Sequence, residues 1–227
     1  MATFGLVHGG FHGAWCWDRL VPRLEERGHA AVAMDLPLGE VDATLADYVD
    51  AVVEALADVD EPVVLVGHSL AGMVIPHVPA LRPVSRLVFV CPMVEGADLP
   101  GADRPYGPSA TIDMASLSFE DGFTSVSAEG AADHFYNECS PGDVAWAVAQ
   151  LRPQGRAAAF PLDRPWREVP NALVICADDR ARNNEHLRHV TARNLGVTPI
   201  EMAGDHSPFL SRPTELADIL DDLARQS

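Results

Sequence analysis

The segment Val63-Val-Leu-Val-Gly67-His68-Ser69-Leu70-Ala71-Gly72-Met73 carries the strongest chemical signal in the chain. An apolar run meets a serine flanked by small residues at two before and two after. A helical pattern follows. That is the form of a nucleophile elbow, in which a serine on a tight strand-to-helix turn projects its hydroxyl and only small neighbours fit around it. Gly67 meets the first requirement; Ala71 stands where glycine is usual, with Gly72 beside it. The bland alternative is a serine capping a buried helix, and the strand pattern ahead of Ser69 argues against it.

A serine hydroxyl attacks only when a base removes its proton, so a histidine must approach it in space. Nine histidines are available. His206 follows the apolar run Val197–Met202 and the short turn Ala203-Gly-Asp205, the place where ligands meet an open α/β sheet. His186 and His189 fall in a helical stretch and are expected at the surface. His68 cannot turn onto its own neighbour. The third member should be a carboxylate at a strand end between serine and histidine. Leu173-Val-Ile-Cys176-Ala177-Asp178-Asp179-Arg180 supplies Asp178 or Asp179, and spacing does not choose between them. Asp205, adjacent to His206, reads as a structural loop residue.

Acyl transfer also needs donors for the developing oxyanion. The backbone N–H of Leu70, just after the serine, is one; an early strand-to-helix loop supplies the other. The segment Phe4-Gly-Leu-Val-His8-Gly9-Gly10-Phe11-His12-Gly13-Ala14-Trp15 has that position. Its glycine spacing is not that of a dinucleotide-binding loop. His8 and His12 straddle glycines with no partnering Glu, so they read as braces of the loop and not as metal ligands.

The elements that must position these groups follow from hydropathy. Phe4–Val7, Ala30–Met34, Val63–Val66, Leu87–Val90, Leu173–Cys176 and Val197–Met202 are short apolar runs suited to strands buried on both faces. Helical patterns lie between them at Trp17–Glu26, Thr44–Val59, His186–Leu195 and Thr214–Arg225. The alternation predicts an α/β fold with a mostly parallel sheet of about six strands and helices on both faces. It breaks between residues 96 and 165, where turns precede helix-like pieces at Ala128–Tyr136 and Pro141–Leu151. Residues 1–95 and 166–227 are thus expected to form the core, and 96–165 an inserted cap.

Composition bounds the rest. The chain has 227 residues, 16 basic and 33 acidic side chains and a net charge of −17, which disfavours nucleic acid and anionic membrane as partners. Every basic residue is arginine, so Schiff-base and lysine-base chemistry are excluded; codon bias of a GC-rich genome accounts for the pattern. No apolar run reaches the roughly 18 residues of a membrane span, and Met1–Val7 does not read as a signal peptide. Cys16, Cys91, Cys139 and Cys176 lack metal-ligand spacing, so free thiols in a cytoplasmic protein are expected. No metal, nucleotide or organic cofactor is implied. A homodimer is the default oligomer for a soluble enzyme.

Together the elbow, the His8–Trp15 loop, the Cys176-Ala-Asp-Asp-Arg180 strand end and the Gly204-Asp-His-Ser-Pro-Phe-Leu-Ser211 loop resemble the α/β-hydrolase superfamily. More narrowly they resemble its branch of plant methyl-ester esterases, hydroxynitrile lyases and bacterial esterase relatives. The resemblance spans both sheet-forming portions and is loose in the cap. It implies Ser69 as nucleophile, His206 as base, Asp179 as the acid, and Gly10 and Leu70 as oxyanion amides. The lyases place a lysine after the histidine and a threonine in the oxyanion loop. Here those positions hold Ser207 and Gly10, so the esterase version is implied. The expected activity is a serine hydrolase of small apolar carboxylic esters, methyl esters included, acting through an acyl-enzyme. Phe11, His12, Trp146, Phe160 and Phe209 are the candidate substrate-binding residues. The rivals are hydrolysis of a lactone, thioester, amide or C–C bond, and a non-catalytic small-molecule receptor on the same fold.

Overall fold

The computed structural model describes residues 1–93, 110–155 and 169–226. Six parallel strands form the main sheet: β1 (Thr3–Val7), β2 (Ala30–Met34), β3 (Val63–His68), β4 (Val84–Val90), β8 (Asn171–Cys176) and β9 (Ile200–Met202). Their spatial order is β2-β1-β3-β4-β8-β9. The chain runs outward from β1 to β2 and then returns past β1 to begin β3. The carboxyl ends of β1 and β3 therefore diverge at a switch point, where a crevice forms. His8–Gly13 leaves β1 there, and Ser69 leaves β3.

Period-two alternation builds the core on both faces of the sheet. Phe4, Leu6, Val64, Val66, Val88, Val90, Val174 and Cys176 pack one way. Val63, Leu65, Leu87, Phe89, Leu173 and Ile175 pack the other way. The six apolar runs read from the sequence are the six strands; four are extended by one to three residues, and the last, expected over Val197–Met202, is shortened to Ile200–Met202.

Helices match less closely. The Trp17–Glu26 pattern resolves into a 3-10 turn at Ala14–Trp17 and α1 (Val21–Glu25). In α2 (Leu45–Ala55), Thr44 and Asp47 cap the first turn reciprocally, and Tyr48, Val49 and Val52 face the core. The helix expected after the elbow is instead a pair of 3-10 segments, Ser69–Met73 and Ile75–Ala80. Pro76 and Pro79 deny the amides an α-helix needs. His186–Leu195 is realised as α5 (Asn184–His186), a π-helical turn (Leu187–Thr191) and α6 (Ala192–Leu195), ending at left-handed Gly196. His186 is buried, contrary to the expectation that it lies at the surface, because the helix turns its face onto the sheet. Beyond β9 come α7 (Pro208–Ser211) and α8 (Pro213–Arg225).

Between β4 and β8 lie α3 (Ala128–His134) and α4 (Pro141–Val148), both near the expected helical pieces. The sequence reading missed an antiparallel sheet of β5 (Leu117–Glu120), β6 (Phe123–Val126) and β7 (Gln154–Gly155). Asp121 and Gly122, with φ of 48° and 84°, make the β5–β6 turn, which the Asp-Gly pair signals directly. Positions 96 and 165, the expected ends of the insertion, lie outside the described residues. Leu65→Ala, at a fully buried position in the central strand, is expected to cost about 3 kcal/mol, read as a lowered urea midpoint with an unchanged slope.

Candidate active site

Ser69 follows β3 with a φ of 49°, a left-handed conformation that a non-glycine residue adopts only when its surroundings enforce it. A side chain at Gly67 would strike Ile75 Cδ1 at 2.8 Å and the Ala71 carbonyl at 3.1 Å, so the elbow closes only on glycine there. Ala71 is fully buried and its methyl group is accommodated.

His206 lies on the loop after β9, and its Nδ1–H donates to Asp179 Oδ2 at 2.8 Å. Asp179 Oδ1 accepts from the backbone N–H groups of Ala181 and Arg182 at 2.8 and 2.9 Å. The carboxylate is thereby oriented and saturated, and its side chain is sealed from solvent. Asp178 is exposed, and its backbone, not its carboxylate, joins the loop, through the Gly204 and Asn137 bonds. Spacing left the two aspartates equal; the tertiary structure pairs Asp179 with the histidine. Asp205 is the structural residue expected of it. It is fully buried and accepts from Ser207 N–H, Ser211 hydroxyl, Glu138 N–H and the Cys139 thiol. It fastens the His206 loop to the start of α4.

Ser69, Leu70, Gly10, Phe11, His12 and His206 all line one cavity of about 200 Å³. Met93, Ile112, Leu117 and Phe135 complete a largely apolar wall, with Thr124, Gln154 and Arg182 as its other polar side chains. Among the described residues the Ser69 hydroxyl makes no hydrogen bond, as is common before substrate closes a site. Of the expected pocket residues, Phe11 and His12 are on the wall. Phe209 is not: it is fully buried and packs edge-on against Trp17, His68 and His12 beneath the site. Trp146 is not either, since it is 38% exposed on α4 and meets Trp15 edge-to-face. Phe160 lies outside the described residues. The sequence reading missed Thr124 and Gln154, which carry no motif.

The early histidines brace the site as the sequence reading held. Leu36 N–H donates to His8 Nε2 at 2.9 Å, so His8 carries its proton on Nδ1 and donates to the Gly9 carbonyl at 2.8 Å. Tyr136 hydroxyl donates to His12 Nε2 at 2.8 Å, and His12 Nδ1–H donates to the Gly10 carbonyl at 2.7 Å. His68 Nε2–H donates to the His206 backbone carbonyl at 2.8 Å, tying the elbow to the loop that carries His206. Its bare Nδ1 faces Gly9, where a Cβ would come within 2.7 Å of it. Burial pushes His8 down to about 4 and His12 down to about 3, and holds His68 well below the ordinary imidazole value.

One cluster invites a metal reading. Cys91, Asp179 and His206 bring ligand atoms within 4.8 Å of one another. The Asp179–His206 bond already uses two of those atoms, and a hydrogen bond to Cys176 together with burial keeps the Cys91 thiol protonated. An ion would have to break both arrangements, so the donor set fits a packed thiol beneath the pair and not a metal centre.

The neutral histidines make stability depend on pH. Their folded-state values lie below the unfolded value of about 6.5, so their contribution is intact above that pH and is lost as pH falls toward 4. Each of His8, His12 and His68 should contribute a slope approaching about 1.4 kcal/mol per pH unit in that window. Urea midpoints between pH 7.5 and 5 should fall steeply, and His12→Asn should shallow the slope. An unchanged slope would mean that His12 is charged in the folded protein.

Comparison with known proteins agrees with the fold. Residues 6–219 match the model of the alpha/beta hydrolase family. The chain is 30% identical to norfluorocurarine synthase 2 of Strychnos nux-vomica, over 98% of this chain and 95% of that protein. It is also 30% identical to salicylic acid-binding protein 2 of Nicotiana tabacum, over 98% and 97%. The crystal structure of polyneuridine aldehyde esterase superposes with a TM-score of 0.79 at 26% identity, covering 99% of both chains. A six-stranded parallel sheet, a serine elbow at its switch point and a match over nearly the whole length leave one conclusion: the chain belongs to the alpha/beta hydrolase family.

Proposed function

We propose that the protein is a serine hydrolase of small carboxylic esters, with Ser69 as nucleophile, His206 as base and Asp179 as the orienting acid. The observation that carries this reading is the sealed Asp179–His206 hydrogen bond, set on a cavity that Ser69 shares. His206 takes the Ser69 proton as Oγ bonds to the acyl carbon. The developing oxyanion is met by the Leu70 and Gly10 amides, both on the cavity wall. The C–O bond to the alcohol then breaks, and His206 returns the proton to the departing oxygen. Water, deprotonated by the same histidine, attacks the acyl-enzyme and releases the acid. Asp179 stays ionised throughout and stabilises the imidazolium between the two transfers.

An ester fits better than a charged or bulky substrate because the wall is mainly apolar and the space small. An esterase among the matched structures points the same way. The protein's chemistry is carried by side chains and backbone amides alone in this scheme. No helix among the described residues is long and apolar enough to cross a membrane.

Purified protein should hydrolyse p-nitrophenyl acetate or butyrate and gain one adduct mass with a fluorophosphonate probe. Ser69→Ala should lose the adduct and about 1,000-fold or more of the turnover. Asp179→Asn should lose a comparable factor while Asp178→Asn stays near wild type. An adduct without turnover would mark a receptor, and neither from a folded protein would overturn Ser69 as the nucleophile.

A further inference from the structure

Gln154 sits in the cavity wall, and nothing in the sequence marks it. It occupies β7, directly opposite Thr124 of β6, so two polar side chains stand together in an apolar enclosure. Its Oε1 is buried and has no hydrogen-bond partner, the one such side-chain acceptor on the wall among the described residues. His12, another polar group on the wall, has both ring nitrogens engaged. A buried acceptor left without a donor is costly, and a structure keeps one where a ligand supplies the donor.

The position of that oxygen is specific. A Cβ added to Gly10 would come within 2.2 Å of Gln154 Oε1. The carboxamide of residue 154 thus fills the space that a side chain at position 10 would take. It is also held there firmly. Arg152 N–H donates to the Phe11 carbonyl at 3.0 Å, and Gly155 N–H donates to the Leu38 carbonyl at 2.7 Å. The Arg152 guanidinium adds bonds to the His12 carbonyl at 3.1 Å and to Asp35 at 2.7 Å. Backbone bonds on both sides of Gln154 fasten β7 to the loops after β1 and β2, so the acceptor is preorganised.

We infer that Gln154 is a specificity-determining residue that selects esters carrying a hydroxyl on the acyl carbon next to the scissile carbonyl, that is, esters of 2-hydroxy carboxylic acids. The inference rests on the ester-hydrolase reading above. There the scissile carbonyl oxygen lies on the Gly10 N–H, one bond from the Cα that Gln154 Oε1 covers. A donor that reaches this oxygen belongs to an atom one or two bonds from the carbonyl carbon. The ester oxygen must face His206 to receive its proton. The acyl side remains, and a hydroxyl on its first carbon donates to Oε1.

The test compares methyl 2-hydroxybutanoate, methyl 2-methoxybutanoate and methyl butanoate by kcat/KM. The methoxy ester preserves the inductive effect and removes the donor. Wild type should favour hydroxy over methoxy by about 10-fold, the worth of one well-placed hydrogen bond. Gln154→Leu should bring that ratio near one. Gln154→Glu, which keeps an acceptor, should retain the preference and serves if the leucine variant does not fold. Equal rates for hydroxy and methoxy esters in wild type, or a ratio unchanged in Gln154→Leu, would overturn the inference alone. Failure of wild type on every ester, p-nitrophenyl esters included, would instead overturn the hydrolase reading beneath it.

Discussion

Left-handed backbone at three non-glycine residues sets the terms for the site. Phe11, Ser69 and Cys91 have φ of 65°, 49° and 44°, and each follows a different strand at the switch-point edge of the sheet. Such conformations cost on the order of 1–3 kcal/mol each and survive only where packing over-determines them. The two-faced core supplies that packing, since β1, β3 and β4 are almost entirely buried. The strain has visible uses. It lifts the Ser69 hydroxyl into the cavity, turns the loop after β1 toward it, and directs Cys91 onto the same face as Val90, out of alternation and under the Asp179–His206 pair.

A second constraint follows from enclosing so many polar groups. His8, His12, His68, His206, Asp179 and Asp205 are all buried around one small space. Burial favours neutral imidazoles, and a neutral imidazole has one donor and one acceptor nitrogen. The network assigns them consistently: His8 and His12 each accept from one group and donate to a loop carbonyl, and His68 donates to the His206 carbonyl. Asp205 adds four accepted bonds. These bonds link β1, β3, the loop after β9 and the segment leading into α4 into one network.

The matched proteins carry names for a synthase, a binding protein and an esterase. One fold therefore does not choose the chemistry. That choice belongs to the wall, and in this chain Thr124, Gln154 and Arg182 interrupt its apolar lining.

Local steric rules made the elbow, the six strands and the His206 loop legible in the sequence. Gly67 and Ala71 flank Ser69 because nothing larger fits a tight strand-to-helix turn, and unbroken valine and leucine runs mark strands covered on both faces. Asp121-Gly122 was equally legible as a hairpin turn. The strands it joins are short and half-exposed, so they carry no unbroken apolar run to mark them. Other features had no local signature. Whether Asp178 or Asp179 meets His206 depends on the turn after β8, where two backbone amides capture one carboxylate. Phe209 and Trp146 looked alike as pocket aromatics, yet one is sealed in the core and the other faces solvent. Gln154 has no motif; it acquires meaning only because β7 is bonded to a loop some 140 positions earlier, through Arg152 N–H to the Phe11 carbonyl. The sequence by itself determined which residues could do chemistry and which runs form the sheet, since those are short-range matters of sterics and periodicity. The tertiary structure alone decided which groups meet and what lines the cavity, because contacts between distant segments are settled by strand order and loop packing.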